Sequence, residues 1–163
     1  MDKREIAHVS IRNLAFAAAA CFLMVPSVYA QQAQNGDRVE ARAMLEKAAT
    51  AVKADKAKAL DMVDQGQGGS FYIKERDLFP FCFNIADGKI VVTQTKQALG
   101  KDIRTFKDKT GNAFGQEIYN AKEGQISEVH YHFARPGADQ TPVPKVSFAT
   151  RVGDLGCAVG YYP

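Results

Sequence analysis

The sequence lacks a charge excess, a membrane-length apolar run, a cluster of metal ligands and a nucleophile in a catalytic setting, and each absence narrows its function. Lysine and arginine number 21 against 18 aspartates and glutamates, with the two signs interspersed along the chain. Such a pattern gives no reason to expect nucleic acid or an acidic membrane surface as a partner. The longest apolar run, Leu14 to Val25, falls short of the roughly 20 residues that cross a bilayer. Ser70, Ser127 and Ser147 have no glycine elbow, and neither Cys82 nor Cys157 stands between a strand and a helix with a base nearby, so no enzymatic activity is expected. His130 and His132 are the only histidines beyond residue 30. On a strand they put both imidazoles on one side, but a stable zinc or copper site needs about three or four ligands, and Glu128 is the only obvious addition. They read as half-exposed surface residues, and no metal or cofactor is expected. Asp108 to Gly111 carries too few carboxylates at alternating positions for a calcium loop.

What is present begins with an export signal. Lys3, Arg4 and Arg12 introduce the apolar run, and Pro26, Ser27, Val28, Tyr29 and Ala30 follow it. A basic start, an apolar middle and a small residue at the end describe a secretory signal cleaved after Ala30. Ala18, Ala19 and Ala20 precede Cys21, but the apolar run continues past it and the position three before it is Ala rather than Leu, which separates it from a lipidated cysteine. The expected organisation is therefore a signal peptide over residues 1–30 and one domain over residues 37–163, periplasmic or secreted. Cleavage removes three basic and two acidic side chains, leaving 18 against 16. Two cysteines remain, Cys82 and Cys157, and an even pair in an oxidising compartment is a disulfide candidate.

Residues 31–36 are polar and expected to be irregular. From Asp37 the spacing of Leu45, Ala48, Ala49 and Val52 predicts a helix with one apolar face, and Asp55 interrupts it as the cap of a second segment carrying Ala59, Leu60 and Val63. The alanine-rich face suits packing on a sheet; a dimerising helix is the alternative. Gly66, Gly68 and Gly69 end the helical region as a turn. Asp77 to Ile85 is the strongest strand, although Pro80 denies it one ladder bond. Asp87-Gly88 turns the chain, and Lys89 to Thr93 returns beside it. Gln94 to Gly124 reads as loops with a short helix over Phe114 to Ala121, and the Asp108 side chain is expected to bind backbone amides of its own turn. Three further strands follow: Ile126 to Arg135, Lys145 to Arg151 and Cys157 to Tyr162. The fold class is α+β, a long jointed N-terminal helix packed on a central antiparallel sheet of about five strands.

Alternation puts Val129, Tyr131 and Phe133 on one face and the two histidines on the other. Tyr131, Phe133 and Lys145, joined by Phe81 or Phe83, supply the apolar walls and the convergent polar group of a small-ligand pocket. Spacing alone leaves equally open that the aromatics are ordinary core and Lys145 is solvated at the start of its strand.

After a helix ending AVKADKAKAL, the segments DLFPFCFNIADGKIVV, LGKDI, DKTGNAFG, VHYHFARPG, PKVSF and CAVGYY occur in that order. Together, over residues 40–162, they resemble the single Cache family of PAS-like extracytoplasmic sensor domains, and most nearly its stand-alone exported form. The resemblance implies a small-ligand-binding, sensor-type domain whose ligand is a small organic anion, carboxylate-like, and its lysine at the start of a strand falls on Lys145; with the first strand's aromatics the expected site is Phe81, Phe83, Tyr131, Phe133 and Lys145. The alternative under the same fold is an interaction or dimerisation module with an occluded pocket. The family's aromatic pair and proline fall on Tyr131, Phe133 and Pro136, with Phe133 where tryptophan is frequent. Thr93-Gln94 stands where the family often carries His-Pro, removing a donor near the pocket rim. A PAS-like sheet sets the first strand beside the last, which would bring Cys82 next to Cys157. The domain is expected to carry no span, kinase or methyl-accepting helix of its own for transmission, and a membrane signalling partner is expected to carry any signal, with the domain a monomer or homodimer.

Overall fold

The computed structural model describes residues 28–66, 71–137 and 139–163, with side chains from Asp37 onward. Residues 1–27, the bulk of the expected export signal, lie outside the described residues, as do Gly68 and Gly69. Helix α1 spans Val28–Ala54 and α2 spans Lys56–Asp64. The backbone over 31–36, expected to be irregular, continues α1 toward the N-terminus; its glutamines and alanine are good helix formers. The joint falls at Asp55, as its sequence suggested. Asp55 leaves helical geometry at φ −157° and its carboxylate accepts from the Lys58 amide at 3.0 Å. This satisfies one of the amides that a helix start leaves unpaired.

Strands β1 (Pro80–Asn84), β2 (Ile90–Val92), β3 (Ser127–Ala134), β4 (Pro142–Val152) and β5 (Leu155–Tyr161) form one antiparallel sheet in the order β2-β1-β5-β4-β3. The first strand starts at Pro80 rather than Asp77, because Asp77 adopts a left-handed backbone at φ 52° that an extended strand does not admit. Helix α3 covers Phe114–Tyr119.

The sheet separates two cores. Ala41, Met44, Leu45, Ala48 and Val52 of α1 pack on Cys82, Val146, Phe148, Val159 and Tyr161. On the other face Ile103, Phe114 and Ile118 cover Phe83, Val129, Tyr131, Ala149 and Ala158. Strand β5 is buried at every position, and its residues divide by size. Leu155, Cys157, Val159 and Tyr161 face the helices, whereas Gly156, Ala158 and Gly160 face the other side. Burial of large side chains drives the first packing, at about 1.5–3 kcal/mol each; small residues leave room on the second face.

Cys82 and Cys157 are directly opposed in the β1–β5 ladder, with Cα atoms 4.1 Å apart, and form a fully buried disulfide. The bond closes 75 residues of chain, which in the chain-entropy model constrains the unfolded state by about 4 kcal/mol. Replacing both cysteines by alanine is expected to lower stability by up to about that amount. Urea denaturation of the double variant beside the oxidised wild type checks this; coincident midpoints would remove the assignment.

Candidate functional site

The small residues of β5 lie beneath the loops that follow β2, and here the second core is incomplete. A cavity of about 110 Å³ opens between them, walled by Phe81, Ile103, Phe106, Phe114, Tyr131 and Phe133. Its polar groups are Asp77, Thr93, Thr95 and Lys145. Gly160 forms part of the wall, and any larger residue there would have to move the end of the Lys145 side chain. A Cβ there would lie 2.9 Å from Lys145 Cε and 3.1 Å from Ser147 Oγ.

Lys145 sits on β4 opposite Tyr131, with its side chain only 10 % exposed. The ammonium donates to Asp77 Oδ2 at 3.3 Å and to the Tyr162 hydroxyl at 3.1 Å. It also lies 4.2 Å from the centre of the Tyr162 ring and 5.4 Å from that of Phe133, a setting in which ring faces attract a cation. Burial lowers the Lys145 pKa from 10.5, Asp77 opposes that shift, and nearby Arg135 adds to it. Tyr162 in turn donates to the Ala134 carbonyl at 2.7 Å, so its oxygen presents a lone pair to Lys145. Tyr131 stacks on Phe114, centroids 4.1 Å apart and rings within 6° of parallel, and its hydroxyl meets Ser147 Oγ at 2.9 Å. Burial pushes the Tyr131 phenol up to about 12.

Four of the five residues expected at the pocket therefore meet there: Phe81, Tyr131, Phe133 and Lys145. Phe83 lies on the same face but one pleat further along, 1 % exposed, where its ring fills the space over Gly156 and stacks on Tyr119 at 5.9 Å. Lys145 is buried rather than solvated. Asp77, Phe114 and Tyr162 were not anticipated. Tyr162 had a signal, since the alternation that buries Val159 and Tyr161 toward the helices turns Tyr162 to the side of Lys145. Asp77 had none, because its placement depends on a turn. Thr93, read from the sequence as leaving the rim short of a donor, is 3 % exposed and places a hydroxyl-bearing side chain in the wall.

The mouth lies beside Phe133, which is 46 % exposed. Outside it an open groove of about 410 Å³ shares Asp77, Phe133 and Lys145 with the cavity and adds Lys107, Lys109 and Arg135. One rim of this groove is fixed by Asp108. Its Oδ1 accepts from the Thr110 hydroxyl at 2.6 Å and from the Thr110 and Asn112 amides, and its Oδ2 from the His132 amide at 3.1 Å. The turn thus covers the free edge of β3, which would otherwise present unpaired backbone groups. These bonds, led by the Thr110 hydroxyl, hold the Asp108 pKa down at about 2. His130 and His132 point to the opposite face, beside Glu128 at 3.2 Å and Asp108 at 3.9 Å. Among the described residues no three His, Cys, Asp or Glu side chains gather where a metal ion could be held.

A sheet with helices on one face and a looped-over cavity on the other defines a PAS-like α+β class, and comparison with known proteins agrees. A family model described as Cache domain matches residues 38–161. The chain belongs to the Cache domain family. The fold is shared with a periplasmic sensor domain of a chemotaxis protein, at 20 % identity and TM-score 0.56 over 84 % of this chain and 98 % of that one. It is shared also with a methyl-accepting chemotaxis protein from Vibrio parahaemolyticus, at 18 % identity and TM-score 0.59 over 81 % and 92 %. A third similar structure is a Cache chemosensory domain described for its recognition of carboxylic acids, at 19 % identity and TM-score 0.52 over 82 % and 94 %. No curated protein matches the chain.

Two outcomes are expected from this geometry. Gly160→Ala should push Lys145 out of register with Asp77 and cost about 1 kcal/mol; an unchanged melting temperature together with an unmoved Lys145 in a crystal structure would contradict it. The Asp108 carboxylate is depressed from 3.8 to about 2, so the stability it contributes is fully present above its unfolded value and lost as pH falls through the folded one. A thermal melt series from pH 5 to below 2 should show wild type exceeding Asp108→Asn at the upper end, with the difference vanishing at the lower.

Proposed function

We propose that this domain is an exported, extracytoplasmic sensor module that binds a small organic anion, with Lys145 pairing with its carboxylate. The observation that carries the reading is a nearly buried ammonium facing an unfilled aromatic cavity. A carboxylate entering such a space forms a charge-assisted bond strengthened by its apolar surroundings. The lining favours a short acid: apart from Asp77, Thr93, Thr95 and Lys145 the walls are aromatic or aliphatic, which suits acetate, propionate or pyruvate better than a sugar acid with many hydroxyls to satisfy. Lys107, Lys109 and Arg135 around the mouth would raise the local concentration of anions.

Phe133 lines the cavity at 46 % exposure and leaves it unfilled, which favours ligand binding over an occluded interaction module. The partner is proposed to be a membrane signalling protein. No helix among the described residues is long and apolar enough to cross a membrane, and the class to which the fold belongs senses rather than catalyses.

Isothermal calorimetry and thermal shift with acetate, propionate, pyruvate and lactate test the proposal. At least one is expected to bind the wild type. Lys145→Met, which keeps the volume and removes the charge, should weaken it by about ten- to a hundredfold, the worth of a hydrogen bond to a charged group. If none binds, or if Lys145→Met binds the same acid equally well, the site is wrong.

A further inference from the structure

Residues 73–78 form a tight hairpin with one foot on each side of the sheet. Ile73 and Leu78 exchange backbone hydrogen bonds at 2.9 and 3.1 Å, and the Asp77 amide donates to the Lys74 carbonyl at 3.2 Å. Leu78 is fully buried in the helix-side core. Asp77 takes a left-handed backbone, φ 52° and ψ 35°, which aspartate tolerates better than most residues. Its carboxylate reaches Lys145 in the cavity at 3.3 Å. The preceding residue reaches the other way: Arg76 pairs with Asp37 at 2.9 Å and with the Glu40 carboxylate, both on α1.

Asp77 therefore already occupies, from within the chain, the cation that a carboxylate ligand would use. Two carboxylates on one ammonium repel each other, so a bound acid and the Asp77–Lys145 pair compete. Resting on the carboxylate reading of the cavity, we infer that Asp77 is a displaceable internal anion that sets the affinity of the site, and that Arg76 conveys its displacement to the N-terminal half of α1. The ligand shifts the hairpin only to the extent that it binds better with Asp77 withdrawn than with Asp77 in place. Arg76 is 40 % exposed in its side chain, and exposed ion pairs contribute little to stability. Its role is a mechanical link, so it should be read out by local exchange rather than by melting.

The experiment measures acetate and propionate affinity by calorimetry in wild type, Lys145→Met, Asp77→Asn and Asp77→Gly. Asparagine and glycine both accept the left-handed backbone, so each variant keeps the hairpin. Binding to wild type that is lost in Lys145→Met upholds the carboxylate site. Given that, both Asp77 variants are expected to bind about tenfold more tightly. Unchanged or weaker binding overturns the inference while leaving the site standing, and weaker binding would mean that Asp77 contacts the ligand directly. Hydrogen exchange over residues 37–45 tests the link. Propionate should alter protection there in wild type and not in Arg76→Gln, whose affinity stays within about twofold; the same change in both proteins overturns the role given to Arg76.

Discussion

Strand β5 is covered on both faces, and the alternation of bulky and small side chains along it determines which face is packed and which is hollow. Leu155, Cys157, Val159 and Tyr161 meet α1 and α2, where the alanines of the helix allow close approach. Gly156, Ala158 and Gly160 present almost no volume to the other face. Distant residues then compete for the space they leave. Phe83 takes the room over Gly156, and the Lys145 stem passes close over Gly160. The cavity is what remains when the loops after β2 and helix α3 close over a surface that they cannot fill. Protein interiors ordinarily exclude such voids, and this hollow, lined by aromatics and a charge, is the one on which the proposed binding site rests.

Burying Lys145 is costly, and its surroundings offset that cost only in part. Desolvation disfavours the ammonium, whereas Asp77, the Tyr162 oxygen and two ring faces favour it. A buried pair of this kind is weak evidence for stability, because apolar residues of similar volume often serve as well or better. Among the described residues no buried side-chain nitrogen or oxygen lacks a hydrogen-bond partner, and Lys145 directs two of its three donors to Asp77 and Tyr162. An acid of the kind proposed would have to offer Lys145 more than Asp77 does. The disulfide and the Asp108 turn act on a different level. They fix β1 against β5 and close the free edge of β3, holding the strands that carry Phe81, Tyr131 and Phe133 in register.

Helix α1 is attached to the rest of the domain in two ways. Its apolar face is buried against the sheet, which holds it in place. Its charged residues reach particular strands and loops: Arg38 grips Glu128 of β3 at 2.7 and 2.5 Å and reaches Tyr161 of β5 at 2.9 Å, while Asp37 and Glu40 hold Arg76. Exposed pairs of this kind contribute little energy, but they relate specific positions on the helix to β3, to β5 and to the hairpin that carries Asp77.

Much of this architecture was legible in the sequence, because faces follow from local geometry. Period-two alternation is a property of the extended backbone, and it placed Val129, Tyr131 and Phe133 together and the histidines opposite. The capping role of Asp55 and the amide-binding turn of Asp108 were readable for the same reason, since both involve neighbours within a few residues. The neighbouring of Cys82 and Cys157 came from the resemblance to a known family rather than from spacing. The tertiary structure alone decided that Phe81 lines the cavity while Phe83 is packed away, that Lys145 is buried, and that Asp77 is its partner. Alternation assigns Phe81 and Phe83 to the same face and cannot separate them. What separates them is the volume left by Gly156 and Gly160, the covering helix from residue 114 onward, and a left-handed turn at Asp77. These come from segments far apart in the chain, and the competition of such segments for one space has no counterpart in any short stretch of sequence.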